Sequence, residues 1–241
     1  MKVIICKNYD EMSQKAFEIM KEVVINNPRA VLGLATGTTP IGLYQKMIKD
    51  HKENGTSYKN IRTANLDEYK GLGLESDQSY IYFMRDNLLS HIDIDLNNTH
   101  FANGLAEDGD KECERYNAVL VQMPRDIQFL GLGYNGHIAF NEPKTPFDSQ
   151  THLVDLTEST IKDNARLFNS IDEVPRQAFT MGLKNIMDAK KILIIANGKN
   201  KAQAVYNTVK GEVTELVPAS ILQLHKDCTL IVDEDAGALI K

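Results

Sequence analysis

The chain has 241 residues, of which 42% are hydrophobic and 25% charged, and it contains no tryptophan. This length suits one large α/β domain or two small ones, and we expect one domain over residues 1–241. The formal net charge of -6 argues against binding to nucleic acid or anionic membranes, because the average field of the protein would not attract them. No apolar run approaches the ~20 residues that a bilayer span requires. With no signal-peptide layout at the N-terminus, we expect a cytoplasmic protein without nucleic-acid or membrane partners.

Short β-rich runs alternate with amphipathic segments, a pattern typical of helices packed on a mainly parallel sheet. The first half predicts strands at KVIIC, AVLGLA, IRTANL, near THFANG and at IQFLGLG. The first helix is expected to follow Asp10 as its cap, and the second to open at Pro40. SYIYFMRDNLLSHI and GDKECERYNAVLVQM predict the next two helices, and a polar loop is expected after IRTANL.

The second half continues this alternation. THLVDLT, KILIIA and CTLIVDE predict strands, whereas ESTIKDNARLF, KAQAVYNTVKG and PASILQLH predict helices, with a helical turn near GLKNIMDA. In an open parallel sheet, ligands bind beyond the carboxyl ends of the strands. A site is therefore expected in the loops after AVLGLA, IRTANL and IQFLGLG.

Gly131, Gly133 and Gly136 have the G-x-G-x-x-G spacing of a dinucleotide-binding turn. That turn requires the third glycine to open a helix, whereas Pro143 and Pro146 block a regular helix in the residues that follow. The pattern matches but its context does not, so the dinucleotide interpretation is disfavoured. We expect these glycines to let the backbone turn sharply and approach a ligand closely.

The same loop presents Asn135, His137 and Glu142. An imidazole can transfer protons in both directions near neutral pH, and Glu142 is close enough in sequence to hold the ring in one tautomer. The alternative is a histidine that merely hydrogen-bonds to loop carbonyls.

The segment ANLDEY places Asp67 and Glu68 at the end of a predicted strand. On an extended backbone the two side chains point to opposite sides, so we expect one of them to face the crevice. The alternative is that they are solvated turn residues or helix caps.

The segment ATGTTP runs from a strand into the helix that opens at Pro40. Its Thr36, Gly37, Thr38 and Thr39 offer backbone N–H groups, hydroxyl groups and a positive helix end, which together suit a phosphate. A simple turn is the alternative.

Taken together, LGLATGTTPIGLY, NLDEY and LGLGYNGHIAFNEP resemble glucosamine-6-phosphate deaminases. The resemblance continues through STIKDNARLF, VPRQAFTMGL and NGKNKAQAV, and so covers nearly the whole chain. It implies a single-domain, Rossmann-like fold with helices on both faces of the sheet and no dinucleotide. The implied reaction converts glucosamine 6-phosphate and water to fructose 6-phosphate and ammonia in amino-sugar catabolism, without cofactor or metal. Oligomeric state is left open, a homo-oligomer included.

The resemblance also implies a role for individual residues. Asp67 matches the base that acts on carbon, His137 the acid/base that opens the sugar ring, and Glu142 the carboxylate partner of that histidine. Asn135 stands where many members have aspartate. Because asparagine can orient an imidazole but carries no charge, Glu142 is expected to supply the negative charge alone.

Arg166 and Lys201 match the cationic residues that bind the substrate's phosphate, with the loop 36–39 beneath it. Allosteric members carry an Arg-x-Lys pair where this chain has His152, Leu153 and Val154. The resemblance therefore implies no activation by N-acetylglucosamine 6-phosphate.

Two other functions are considered. A 6-phosphogluconolactonase has a similar fold and a similar glycine-histidine loop, but it needs no carbon-acid base, so NLDEY favours the deaminase. A sugar-phosphate sensor in a transcription regulator would need an attached DNA-reading module of ~60 residues, for which this chain has no room. Such a sensor would also be expected to have lost Asp67 or His137.

Overall fold

A computed structural model describes residues 1–165, 168 and 170–241 of the chain. The strands are β1 (Lys2–Cys6), β2 (Val31–Leu34), β3 (Arg62–Asn65), β4 (Asp67–Tyr69), β5 (Thr99–His100), β6 (Ile127–Gly131), β7 (His152–Asp155), β8 (Gln177–Thr180), β9 (Ile192–Ala196) and β10 (Cys228–Asp233). The α-helices are α1 (Tyr9–Asn26), α2 (Ile41–Asn54), α3 (Tyr80–Asn87), α4 (Gly109–Gln122), α5 (Glu158–Asn164), α6 (Leu183–Met187) and α7 (Ala202–Lys210).

Seven strands form the main sheet, in the spatial order β1-β10-β9-β6-β2-β3-β5, and all its neighbouring strands are parallel. Every residue of β9 is buried. Because successive side chains of a strand point to opposite faces, both faces of the sheet must be covered. The prediction of a mainly parallel sheet flanked by helices is therefore confirmed.

The order of the strands reverses direction at β2. From β2 the chain continues through α2 to β3 on one side, whereas β6 pairs with the other side of β2 and leads on towards β9. Connections that leave neighbouring strands in opposite directions open a crevice at the carboxyl ends of those strands. This crevice lies between the loop after β2 and the loop after β6.

A second, smaller sheet lies outside the main one, in the order β4-β8-β7 with antiparallel pairing. The polar loop expected directly after IRTANL begins only after Tyr69, because residues 67–69 form strand β4, in which Asp67 pairs with Thr180 and Glu68 with Phe179. The backbone groups of β4 find their partners more than 100 positions away. A polar segment of three residues carries no local signal for such a pairing.

Three local expectations also need correction. Asn8, and not Asp10, caps α1, since its side chain accepts a hydrogen bond from the N–H of Glu11. Helix α3 ends at Asn87, because Leu88 leaves the helical conformation with φ -149°, and a short 3₁₀ helix follows over Leu89–His91. The segment PASILQLH forms a tighter 3₁₀ helix over Pro218–Leu224. None of the described helices combines the length and apolarity needed to cross a bilayer.

Gly182 makes the close approach on which the junction between β8 and α6 depends. A Cβ atom there would overlap the carbonyl oxygens of Ser149 and Gln150, which are backbone atoms that cannot rotate away. We expect Gly182→Ala to lower the free energy of unfolding by about 1–3 kcal/mol, as overpacking does. Urea unfolding measures this, with Gly131→Ala as the control because its Cβ meets no atom within 4 Å. Equal losses in both variants would contradict the assignment.

Candidate active site

A cavity of about 210 Å³ opens at the carboxyl ends of the central strands, where the topology predicts a ligand site. It brings together Asp67 from β4, His137 from the loop after β6, and Lys201 from the turn before α7. These side chains are far apart in the sequence. Among the described residues, the lining consists of Ala35, Thr36, Gly37, Thr39, Leu66, Asp67, Tyr80, Gly131, Leu132, Gly133, His137, Ala139, Phe140 and Lys201.

The carboxyl group of Asp67 is the most strongly perturbed acid of this cavity. The residue is only 7% exposed, and no hydrogen bond from the described residues offsets the loss of water. Burial, together with the nearby carboxyl of Glu68, raises the pKa of Asp67 to about 8. A carboxyl with a pKa near neutral can both accept and return a proton.

Glu68 points away from the cavity, as the alternation along a strand requires. Its carboxylate accepts hydrogen bonds from the N–H groups of Tyr69, Tyr80 and Ile81 at 2.8–2.9 Å. Burial raises the pKa of Glu68, and these three hydrogen bonds oppose that rise. The two acids thus have separate positions: Asp67 faces the crevice, and Glu68 caps helix α3 and fixes Tyr80, whose ring lines the cavity.

Asn135 connects His137 to Glu142. The Oδ1 atom of Asn135 lies 2.7 Å from Nδ1 of His137 and 3.1 Å from its backbone N–H, while Nδ2 of Asn135 donates to Oε2 of Glu142 at 2.7 Å. A carboxylate accepts hydrogen bonds only, so the amide nitrogen must face Glu142 and the amide oxygen must face the ring. Nδ1 of His137 therefore donates, and Nε2 is left to exchange a proton.

Glu142 supplies the negative charge beside His137, and Asn135 links its carboxylate to the imidazole. Its Oε1 atom lies 3.4 Å from Nδ1 of His137, further than the Asn135 oxygen. Burial raises the pKa of Glu142, but the hydrogen bond and charge interaction with His137, together with the hydrogen bonds from Asn135 and Thr160, outweigh burial and lower the pKa below its usual value. The carboxylate therefore stays ionised across the neutral range.

The glycines of the G-x-G-x-x-G pattern accommodate the histidine. A Cβ atom on Gly133 would overlap the imidazole of His137, so the ring packs directly on this backbone. Gly136 has φ +86°, in the left-handed region that favours glycine, and a Cβ there would press on Val217. The spacing thus serves a tight turn that seats an imidazole.

The loop after β2 contributes Thr36, Gly37 and Thr39 to the cavity. Thr38, predicted to act with them, lies outside its lining and faces a neighbouring surface depression. Lys201 lines the cavity as expected. The other predicted phosphate ligand, Arg166, lies outside the described residues.

Tyr80 and Phe140 form an aromatic wall of the cavity that the sequence patterns did not predict. Their rings stack at 6.2 Å between centroids with an interplanar angle of 14°, and both line the cavity. Between His137 and Phe140, Ala139 adopts φ 54°, an uncommon left-handed conformation for a residue with a Cβ. The SYIYF pattern indicated a helix but not which of its residues faces a ligand.

Residues 7–231 match the family model of glucosamine-6-phosphate isomerases and 6-phosphogluconolactonases. The chain belongs to this family.

Relatives within the family are similar over the full chain. A glucosamine-6-phosphate deaminase of Clostridium perfringens is 52% identical over 242 residues and covers 100% of both chains. One of Clostridioides difficile is 49% identical over 239 residues, which is 99% of this chain and 96% of the relative.

Solved structures agree with this grouping. One described as a monomeric glucosamine-6-phosphate deaminase has a TM-score of 0.96 and 46% identity, covering 99% of this chain and 100% of the other. A 6-phosphogluconolactonase from Leishmania guyanensis has a TM-score of 0.76 at 21% identity, covering 98% and 97%, which shows a shared fold only. The resemblance to glucosamine-6-phosphate deaminases is confirmed.

The raised pKa of Asp67 makes stability depend on pH. With a pKa of about 8 in the folded state and the ordinary value of 3.8 in the unfolded state, the folded chain holds a proton that the unfolded chain releases. Stability therefore falls as pH rises from about 4 to 8. We expect Asp67→Asn to raise the melting temperature by ~5 °C at pH 8, and by little at pH 4.

Thermal unfolding at several pH values measures this difference, with the exposed Asp86→Asn as the matched control. The control should shift the melting temperature little and equally at both pH values. A pH-independent shift in Asp67→Asn would mean that folding does not raise the pKa of the Asp67 carboxyl.

Proposed function

We propose that this protein converts D-glucosamine 6-phosphate and water to D-fructose 6-phosphate and ammonia. The observation that carries the proposal is the convergence of a buried carboxyl, Asp67, and an oriented imidazole, His137, on one small cavity that also contains Lys201. Relatives about half identical over the full chain, described as glucosamine-6-phosphate deaminases, support it.

His137 is proposed to open the sugar ring. With Nδ1 held by Asn135, Nε2 accepts the proton of the C1 hydroxyl and delivers a proton to the ring oxygen, which gives the open-chain aldehyde. Glu142 stabilises the imidazolium that forms in between, since its carboxylate lies 3.4 Å from Nδ1. The imidazole of His137 returns to its neutral form once the bond between C1 and the ring oxygen of the sugar has broken.

Asp67 is proposed to carry out the following step. Its carboxylate removes the proton from C2 while the aldehyde oxygen takes up a proton from the substrate's C2 ammonium, which gives an enolamine, and the Asp67 acid then returns its proton at C1. The C2 iminium that results adds water and releases ammonia. Burial suits this exchange, because it favours the neutral acid that forms after the first proton transfer.

The phosphate is proposed to bind at the other end of the cavity. Thr36, Thr39 and Lys201 line the same cavity. Their backbone N–H groups, hydroxyls and ammonium are proposed to bind the phosphate there, with Arg166 adding a second cation. Such a local group of donors lets a chain of net charge -6 capture an anionic sugar. No observation favours the lactonase, whose reaction requires no base at carbon.

The wider setting of the reaction belongs to the same proposal. We propose that residues 1–241 act as a single domain, in the cytoplasm, in the catabolism of amino sugars including N-acetylglucosamine. The partner is a small phosphosugar, and both a monomer and a homo-oligomer are compatible with this reaction.

The test is an assay of purified protein with glucosamine 6-phosphate, in which fructose 6-phosphate and ammonia are both measured. Asp67→Asn is expected to lower kcat by at least ~10²-fold with substrate binding retained, because only the general base is lost. His137→Asn should lower turnover of the cyclic substrate more than that of an open-chain analogue. The exposed Asp86→Asn serves as the control.

Two results would contradict these assignments. Full activity of Asp67→Asn would remove that residue from the reaction. Hydrolysis of 6-phosphogluconolactone without ammonia release from the amino sugar would favour the alternative enzyme.

Saturating N-acetylglucosamine 6-phosphate is expected to leave the rate curve hyperbolic and unchanged. His152, Leu153 and Val154 form most of β7 and supply no Arg-x-Lys pair to hold the phosphate of an activator. Initial rates with and without the effector measure this. A clear fall in the half-saturating substrate concentration would show that an activator site exists elsewhere.

A further inference from the structure

The loop between β2 and α2 separates the catalytic cavity from a depression on the protein surface. On one side is the catalytic cavity of about 210 Å³, and on the other a surface depression of about 410 Å³ lined by Tyr9, Thr38, Gln45 and Asn197, among others. Thr39 borders both spaces, and a Cβ on Gly37 would meet no atom within 4 Å. Side-chain packing around the loop therefore does little to hold its shape.

A buried tyrosine holds the start of this loop. The Tyr44 hydroxyl donates to the carbonyl of Ala35 at 2.5 Å and lies 3.3 Å from the N–H of the same residue. Tyr44 belongs to α2 and is fully buried, so its hydroxyl is a fixed point in the core. The first residue of the loop is thus tied to the helix that follows it.

A second tyrosine holds the end of the loop. The Tyr9 hydroxyl, from the first turn of α1, donates to the carbonyl of Thr39 at 2.9 Å, with the carbonyl of Thr38 at 3.2 Å, and accepts from the N–H of Gly42 at 2.9 Å. Pro40, at the cap position of α2, provides no side-chain hydrogen bond. Tyr9 therefore caps α2 from a different helix and binds the loop with the same oxygen atom.

We infer that Tyr9 and Tyr44 are positioning residues that hold the loop 35–39 in the shape that binds the substrate's phosphate. The inference rests on the proposed function, in which this loop takes the phosphate. Backbone N–H groups converge on an anion only if the backbone is fixed, and fixing it before binding removes the ordering cost from the affinity. Neither hydroxyl has to touch the substrate.

The experiment removes one hydroxyl at a time and measures the binding of inorganic phosphate by calorimetry. Tyr9→Phe is expected to weaken phosphate binding about 5–10-fold, because it removes the hydrogen bonds to the Thr39 carbonyl and from the Gly42 N–H. Tyr44→Phe should act in the same direction. Tyr58→Phe is the matched control, because Tyr58 is as buried as Tyr44 and its hydroxyl has no hydrogen-bond partner among the described residues. Its phosphate affinity should equal that of the wild type.

Enzyme kinetics supply a second readout. If the loop contributes binding that is equal in the ground state and the transition state, Tyr9→Phe raises KM for glucosamine 6-phosphate about 5–10-fold and changes kcat little. A purely structural role would lower the urea midpoint without changing phosphate affinity or KM. Lys201→Met shows how much of the bound phosphate lies in the cavity, since it removes a cation from the lining.

Each outcome decides the inference. Weaker phosphate binding in Tyr9→Phe with an unchanged Tyr58→Phe supports it, even if Tyr44→Phe fails to fold. Wild-type phosphate affinity in Tyr9→Phe overturns it, and so does a wild-type protein that binds no phosphate. Weaker phosphate binding in the variants combined with no ammonia release by the wild type would refute the proposed reaction and leave the role of the tyrosines standing.

Discussion

Removing the Asp67 carboxyl from water raises the free energy of its ionised form, and the arrangement of the site follows from how the chain accommodates this. Glu68, its neighbour, is even more buried, yet its carboxylate accepts one backbone N–H group from Tyr69 of β4 and two from the first turn of α3, which partly offset the lost water. Asp67 has no such replacement among the described residues. Two adjacent acids therefore differ in chemistry because strand β4 turns one towards a helix end and the other towards a cavity.

On the other side of the cavity, the imidazole of His137 is oriented by a neutral residue that places no second charge in direct contact with it. Asn135 is a neutral link whose two amide ends can be satisfied in only one orientation, which fixes the proton on Nδ1 of His137. Glu142, which accepts the hydrogen bond from the Asn135 amide, stays charged. Gly133 is part of the same device, because only a residue without a Cβ lets the ring rest on the backbone.

Much of this could be predicted from the sequence, because the relevant signals are local. The apolar runs of β2, β6 and β9 identified the central strands, and strands of this type place their following loops at one edge. The alternation at Asp67 and Glu68 correctly predicted that one acid faces the crevice. A helix cap was the alternative expected for such an acid, and Glu68 does accept hydrogen bonds from the first N–H groups of α3.

The features that could not be predicted depend on contacts between distant segments. The pairing of β4 with β8 joins residues more than 100 positions apart, and nothing in the letters DEY indicates it. The same holds for the Tyr9 hydroxyl, which reaches the loop and the helix start some 30 positions later. Thr38 carries the same local signal as Thr36 and Thr39, and only the path of the backbone directs it to the other side.

These observations bear on how one cavity can hold both a base and an anion. An ionised Asp67 would repel an incoming phosphate, but a pKa of about 8 keeps much of the carboxyl neutral at pH 7 in the free protein. In the proposed reaction the substrate then brings an ammonium group at C2, next to the carbon on which Asp67 acts. A positive charge at that position favours the ionised carboxylate. Substrate binding would thus ionise the base that the reaction needs. The Asp67 carboxylate then becomes charged in its buried position only when the substrate's ammonium lies beside it.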